Sequence, residues 1–469
     1  MTTDIRTVMN PRALLLTIFL LQFLVALDVA LLNVALPAIA SDLAFTQTGL
    51  QWVVNGYLLT FAGLMLLGGR LGDLWGRRRI VVTGLGLFIA FSVIGTVAWS
   101  AGSLVAARAG QGVAAALIAP ASLALVAANF TEGPLRRRAL GLWGMAGAGG
   151  GALGVVLSGI LVQAFGWRSV LAVNIPIAAV AVFAALRGVP TRERGTAREP
   201  LDVTGALLVT AALSVLVYAV AEGGENGWGS GITISRLAVA LVLLAAFVLV
   251  ESRTSHPLMP LRLFRVRSLV GANAFGFLLS AGQLAAFYFC SLYMQQVWGL
   301  RPSTAGLLFL PFSVCVVLGI KLAQQLSSVL GVRNTLLVHG LLGAIGLAWF
   351  SRMPRDFAFW TGVVGPSLFA AVGIGGCLVL LGGAGTSGVP AHDAGIASGV
   401  LNSSRQLGGT IGLAALVTIA ADTTSGAGGD VTAALGAGYR AGLGIGAVLL
   451  AVGAVLGYLL IPGRSKARD

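Results

Sequence analysis

The sequence predicts an all-α integral membrane protein with fourteen transmembrane helices, arranged as two bundles of six helices and a two-helix insert. Three observations lead to this fold class. The 469 residues are 57% hydrophobic and only 10% charged, whereas a soluble domain carries about a quarter charged residues. The apolar residues are collected in runs long enough to cross a bilayer. The basic residues are concentrated between alternate runs, as in the loops of membrane proteins.

The apolar runs supply the helices in chain order, since a helix needs about 20 apolar residues to cross the hydrocarbon core. The fourteen runs lie at 13–36, 50–69, 80–99, 104–128, 139–163, 168–187, 203–221, 234–251, 269–293, 304–323, 333–351, 360–383, 395–420 and 437–461. Polar stretches bracket the seventh and eighth runs. We therefore divide the chain into an N-terminal six-helix bundle (1–190), a cytoplasmic linker with a two-helix insert (191–260) and a C-terminal six-helix bundle (261–469).

The basic residues orient these helices, because cytoplasmic loops hold an excess of Lys and Arg. With the N-terminus inside, 22 of the 30 Lys and Arg residues face the cytoplasm, 6 lie in outer loops, and Arg108 and Arg405 lie within spans. The net charge of +14 is thus attributed to loops and not to a nucleic-acid partner. The 28-to-2 excess of Arg over Lys indicates a GC-rich bacterial genome. We expect a multi-pass protein of the bacterial plasma membrane with both termini cytoplasmic.

Residues 69–80, GRLGDLWGRRRI, form a short charged connection between the second and third runs. Because transporters are commonly built from two six-span halves, an echo is expected after the tenth run. There Gly331 and Arg333 stand in the places of Gly76 and Arg78. Ser328 stands where an aspartate would be, so the echo is faint.

The pattern G-x-L-x-D-x-x-G-R-R-R in this connection resembles the signature of the major facilitator superfamily. Further stretches are similar to those of its fourteen-helix drug:H+ antiporter family, of the multidrug resistance exporter type. In chain order they are LDVALLNVALP (27–37), RAGQG (108–112), WRSVLAVNIPI (167–177), LDVTGALL (201–208) and AGIASGVLNSSRQLGG (394–409). One departure falls in the fifth run, where Val155 replaces the proline of the antiporter motif. The glycines around it indicate close helix packing.

The resemblance implies a proton-coupled secondary transporter that exports amphiphilic, drug-like compounds by alternating access. It implies a lipid bilayer, protons and a small-molecule substrate as partners, a functional monomer, and no enzymatic activity. No GxxxxGK[ST] loop is present, and the three Cys and three His are scattered singly, so we expect no cofactor and no metal site. A specific metabolite transporter of the same fold stays open as an alternative, and a membrane sensor or enzyme is a more distant one.

The resemblance also implies a cytoplasmic gate around the 69–80 connection. In the family, the aspartate equivalent to Asp73 caps the span that begins here near Ala394, and Arg77 is expected to pair with an acid that ends the fourth span. The nearest such acid is Glu132. The alternative is that these charges only orient the loop. The predicted gate residues are Gly69, Asp73, Gly76, Arg77, Arg78 and Glu132.

Charged residues inside spans cost about 2.5–3.5 kcal/mol at the bilayer centre, so they usually line a cavity. Asp28 is the only carboxylate well inside a predicted span, and Arg108 lies at a similar depth. Burial favours the protonated form of Asp28, whereas a nearby Arg108 favours the charged form. We predict that the two residues couple transport to protons; the alternative is a permanent structural pair.

The predicted substrate cavity is made of polar side chains on otherwise apolar spans, since ligand sites combine apolar walls with a few polar groups. An anchoring role between helices is the alternative for Arg405. The predicted cavity residues are Asn33, Asn55, Tyr57, Gln111, Gln283, Tyr288, Tyr293, Asn402 and Arg405.

Overall fold

The computed structural model describes residues 11–130, 134–190, 202–254, 257, 261–389, 394–427 and 430–463. Within these ranges the regular structure is helical, without strands. The helices are α1 (Pro11–Asp42), α2 (Gln47–Trp75), α3 (Arg77–Thr96), α4 (Ala101–Asn129), α5 (Pro134–Phe165), α6 (Arg168–Ala172), α7 (Asn174–Gly188), α8 (Val203–Asn226), α9 (Gly231–Arg253), α10 (Arg267–Leu292), α11 (Pro302–Leu307), α12 (Leu310–Phe350), α13 (Gly365–Thr386), α14 (Ala394–Gly426) and α15 (Val431–Leu460).

Eleven helical segments of the described chain are long and apolar enough to cross a membrane. Helices α2 and α8, at the second and seventh predicted runs, are not among them, because some of their side chains lie outside the described part of the chain; the described stretch of α8, Thr204–Val220, is apolar but shorter. The tenth and eleventh predicted runs fall in one segment, Pro302–Phe350, that bends at Gly331. Length and apolarity alone thus support eleven spans, and the count of fourteen stays a prediction.

Two glycines with positive φ make matching junctions in the two halves of the chain. Gly76 joins α2 to α3 with φ +88°, and Gly331 bends α12 with φ +78°, a region that glycine enters without steric cost. Two residues after each glycine an arginine donates to a backbone carbonyl: Arg78 Nη2 to Leu186 O at 2.8 Å and Arg333 Nε to Tyr458 O at 2.6 Å. Each acceptor lies two residues before the end of its helix, α7 or α15. The weak sequence similarity around Gly76 and Gly331 therefore reflects a structural repeat.

The first half, α1–α7, is held by close pairs of helices, α1 with α5 and α2 with α4. The glycines of α5 face α1: a Cβ on Gly154 would lie 2.8 Å from Ala30 Cβ, and one on Gly150 would lie 2.7 Å from Phe23 O. A Cβ on Gly112 of α4 would meet Tyr57 O of α2 at 2.2 Å. The expectation that the fifth run packs closely through glycines is met at these positions.

The second half, α10–α15, repeats this arrangement. Helix α10 packs against α14 and α15, and α12 packs against α13. Backbone contact again depends on glycine: a Cβ on Gly408 would lie 2.1 Å from Phe277 O, and one on Gly346 would lie 2.1 Å from Ala370 N. Any side chain at these two positions would separate the helices.

Helices α8 and α9 pack against each other, and α8 lies along α2 and α14. Leu59, Leu213, Val217 and Ala414 form a small apolar cluster where the three helices meet. Thr210 Oγ1 donates to Gly63 O at 3.1 Å. The insert therefore touches one helix from each half.

The two halves meet at the end of the bundle opposite to the first turn of α1 and the last turn of α15. We call this the far end and the other the terminal end. Ser291 Oγ donates to Asn33 O at 2.6 Å and Gln295 Nε2 to Val34 O at 3.0 Å, which joins α10 to α1. A Cβ on Gly159 of α5 would lie 2.5 Å from Pro302 O of α11. The described contacts thus close the molecule at its far end.

Single cysteines test the predicted topology. Asn226 and Arg355 are exposed at or near helix ends on the far side, so cysteines there should react with a membrane-impermeant maleimide added outside intact cells. Cysteines at 195 and 465, which lie outside the described residues, should react only after the membrane is opened. Labelling of position 195 from outside would contradict the orientation and the span count together.

Candidate functional site

An ion pair between Asp28 of α1 and Arg108 of α4 lies in the interior of the first half. Arg108 Nη1 is 2.7 Å from Asp28 Oδ2, and both side chains are 1% exposed. The two residues stand 80 positions apart in the sequence, and the α1–α4 contact brings them together. Among the carboxylates whose side chains are described, Asp28 is the one that lies far from a helix end. Both predicted proton-coupling residues therefore occupy one site.

Each partner of the ion pair has further polar contacts that hold it in place. Arg108 Nη1 also donates to Gln111 Oε1 at 2.7 Å, and Arg108 Nε donates to Val53 O of α2 at 3.2 Å. The guanidinium lies over the Tyr57 ring, 4.4 Å from its centroid. Gln111 Nε2 donates to Ser92 Oγ of α3 at 2.8 Å. Tyr57 and Gln111, predicted as cavity residues, thus belong to the surroundings of the ion pair.

Asn174 completes the site from α7 and was not predicted from the sequence. Its Nδ2 donates to Asp28 Oδ1 at 2.7 Å, and the residue is fully buried. It opens α7 directly after the break at Val173 that separates α6 from α7. A polar residue within an apolar run was the signal available, because Asn174 lies in the WRSVLAVNIPI stretch.

Arg108 has three neutral contacts besides its ion pair with Asp28. If Asp28 takes up a proton, Arg108 keeps the Gln111 oxygen, the Val53 carbonyl and the face of Tyr57. A buried guanidinium without any partner would be strongly destabilised. These neutral contacts therefore stabilise the guanidinium together with the Asp28 carboxylate.

The remaining predicted cavity residues on the far-end side are buried where the halves meet. Asn33 is 4% exposed, and its carbonyl accepts from Ser291. Asn55 of α2 is fully buried, and neither its amide nitrogen nor its oxygen has a hydrogen-bond partner. Tyr293 donates to Met353 O and Pro354 O, both at 3.1 Å. In this conformation Tyr293 fastens α10 to the 351–356 turn and does not face an open space.

The other cavity candidates lie on α10 and α14. Tyr288 is 1% exposed, and its hydroxyl has no hydrogen-bond partner. Gln283, Asn402 and Arg405 are half-buried. The structure therefore places the candidates in three groups: one around the ion pair, one on the far-end side where the halves meet, and one on α10 and α14.

The predicted gate is described only in part. Gly69 packs near Pro120, where an added Cβ would lie 3.6 Å from Pro120 Cβ. Gly76 forms the α2–α3 junction, Arg77 begins α3, and Arg78 is bonded to α7. The side chain of Asp73 and all of Glu132 lie outside the described residues. The cap and the ion pair expected of them stay predictions.

Comparison with known proteins gives a family match and close relatives. The model of the Major Facilitator Superfamily matches residues 18–413. The chain is 40% identical over 434 residues to a cephamycin export protein of Amycolatopsis lactamdurans, with 92% of this chain and 89% of that protein covered. It is 36% identical over 466 residues to a puromycin resistance protein of Streptomyces alboniger (97% and 92% covered). A lincomycin resistance protein of Streptomyces lincolnensis is 37% identical over 434 residues (92% and 89%).

Solved structures share the fold at low sequence identity. A bacterial homologue of the human lysosomal transporter Spinster, in an inward-facing and unoccupied conformation, has a TM-score of 0.66 at 16% identity and covers 100% of both chains. A peptide transporter POT in complex with sulfate has a TM-score of 0.66 at 17% identity and covers 98% of this chain and 100% of its own. At such low sequence identities the comparison supports the fold alone.

Measurement of the free energy of unfolding tests the contact from Asn174 to the ion pair. A hydrogen bond to a charged group contributes about 1.5–3 kcal/mol, so Asn174→Ala should lower the free energy of unfolding of the purified protein by about that amount. Titration with a denaturing detergent measures it. Asn334→Ala is the matched control, because Asn334 is exposed and donates only to Leu330 O of its own helix. If both variants lowered the free energy of unfolding equally, the bond from Asn174 to Asp28 would not support the site.

Proposed function

Because the chain belongs to the Major Facilitator Superfamily, we propose that it is a proton-coupled exporter of amphiphilic, drug-like compounds that works by alternating access. The family consists of multi-pass membrane transporters of small molecules, so the chain is a transporter and not an enzyme. Transport by the family needs no bound cofactor. The finer proposal concerns the energy source, the direction and the substrate.

The observation that carries the proposal is the buried Asp28–Arg108 pair with its supporting contacts. A charged pair deep among helices costs desolvation energy, and apolar residues of the same volume would often be as stable. Its retention inside a membrane protein therefore favours a functional role over a structural one. Proton uptake at Asp28 from the outer side, followed by release to the cytoplasm, would drive the cycle.

The relatives support the choice of substrate class. Their names describe export of cephamycin and resistance to puromycin and lincomycin. The chain covers 89–92% of the length of these three proteins. We propose antibiotic-like compounds as substrates and export from the cytoplasm as the direction.

We further propose fourteen spans with both termini cytoplasmic, divided as 1–190, 191–260 and 261–469, and a functional monomer. Helices α2 and α8 and the bend at Gly331 supply the segments beyond the eleven apolar ones. In this orientation the far-end contacts close the outer side. Near the terminal end, α5 exposes Gly141 and Gly144 and α13 exposes Gly382 and Gly383, with no atom within 4 Å of an added Cβ. These features support a conformation open to the cytoplasm.

Variants of the ion pair test proton coupling. Asp28→Asn should retain equilibrium exchange of substrate across the membrane but lose gradient-driven accumulation, because the proton-binding group is gone. Everted vesicles with and without a proton gradient, loaded with amphiphilic dyes of either charge, give both readouts. Adding Arg108→Gln should rescue nothing.

A purely structural pair predicts a different result. The double variant Asp28→Asn with Arg108→Gln would then recover much of the activity lost in either single variant, since no bare charge would remain. Full gradient-driven export by Asp28→Asn alone would end the coupling proposal.

Asp73 tests the proposed gate. If its carboxylate caps the first turn of α14 in the outward-open state, Asp73→Asn should lower transport several-fold while membrane insertion and protein amount stay normal. Uptake into everted vesicles, corrected for the amount of protein, is the measurement. Undiminished transport would mean that the charges of the 69–80 connection serve orientation only.

A further inference from the structure

The second half contains a guanidinium without a partner. Arg405 lies in α14, eleven residues after its first residue. It makes no hydrogen bond, ion pair or ring contact with any residue that the structure describes, and its Nε is buried without a partner. An unpaired charge among membrane-spanning helices is costly. This energetic cost indicates that Arg405 has a function that requires a bound ligand.

The stem of Arg405 packs against α10, and the side chain as a whole is partly exposed. A Cβ on Gly276 of α10 would lie 2.9 Å from Arg405 Cγ, so glycine at this position makes room for the side chain. Arg405 as a whole is only half-buried. Helix α14 packs against α10 and α15 of its own half, against α2 of the first half and against α8 of the insert. Arg405 therefore lies on a helix that contacts both halves of the chain.

A neighbouring group on α14 suits an anion. Asn402 lies one turn before Arg405, on the same side of the helix, and is a half-buried amide that can donate hydrogen bonds. A guanidinium with amide donors matches the geometry of a carboxylate or sulfonate, which it binds through charge-assisted hydrogen bonds. No described carboxylate competes for it.

The charge of Arg405 matters because the ion pair in the first half is neutral overall. Asp28 and Arg108 neutralise each other at 2.7 Å, whereas Arg405 has no opposite charge among the described residues. Resting on the proposed transport function, we propose that the substrate site selects amphiphilic anions, with Arg405 binding a carboxylate or sulfonate and the apolar walls holding the rest of the molecule. Cationic compounds would be disfavoured at this position.

Equilibrium binding to the purified full-length protein in detergent tests the proposal without a gradient. 8-Anilinonaphthalene-1-sulfonate and N-phenyl-1-naphthylamine share one ring system and differ by the sulfonate. Dialysis against protein-free micelles gives the amount bound to the protein. Arg405→Gln should weaken sulfonate binding by about tenfold or more, as expected for the loss of a charge-assisted hydrogen bond. Binding of the neutral amine should stay within about twofold, since it lacks the charged group.

Two further variants make the result specific. Arg405→Lys should recover part of the sulfonate affinity, because it restores the charge without the planar fork. Arg440→Gln is the charge-matched control, since Arg440 lies on α15 and donates to Gly436 O, and it should leave both affinities unchanged.

Several results would overturn the proposal. They are equal weakening of both compounds by Arg405→Gln, unchanged or absent sulfonate binding, or an equal loss with Arg440→Gln. Displacement of the sulfonate by one equivalent of phosphatidylglycerol would also overturn it, because the guanidinium would then belong to a lipid headgroup. Failure of gradient-driven export in vesicles would instead contradict the proposed function, so the two failures are distinguishable.

Discussion

The buried ion pair between Asp28 and Arg108 sets the arrangement of the first half. Hydrocarbon offers no water to solvate a charge, so each group must find its partners within the protein. Those partners come from five helices: Asp28 from α1, Val53 O from α2, Ser92 from α3, Arg108 with Gln111 from α4, and Asn174 from α7. A shift of any one helix would leave a buried polar group unsatisfied. The glycines of α4 and α5 then allow the neighbouring helices to pack closely around the ion pair.

The two halves use the same backbone devices but differ in charge. Gly76 and Gly331 turn the chain alike, and Arg78 and Arg333 tie the turn to the sixth helix of their half. The first half neutralises its buried cation, whereas Arg405 in the second stays without a partner among the described residues. Between the halves, the far-end bonds join side chains to backbone carbonyls. Neutral bonds of this kind contribute about 1 kcal/mol each, so each contact between the halves is individually weak.

The sequence predicted most of the helices and the central pair, because both depend on local or rare signals. Apolar runs report helices directly, and Asp28 and Arg108 stood out as charges in apolar surroundings. Asn174 was missed because a single neutral amide carries little cost and many such residues only bond their own helix. Tyr293 was expected in a cavity, but a hydroxyl can find backbone partners that only tertiary structure reveals. The number of spans was harder still, since long helices such as Pro302–Phe350 join two predicted runs in one segment that bends at a single glycine.

The single-residue junction at Gly76 also bears on how the protein enters the bilayer during synthesis. Helix α2 ends at Trp75 and α3 begins at Arg77, so only Gly76 separates the two helices. The two helices therefore form a hairpin with the charged connection at its apex. Three consecutive arginines at the apex, Arg77 to Arg79, oppose its translocation. One glycine and its arginines thus act on biogenesis before any substrate is moved.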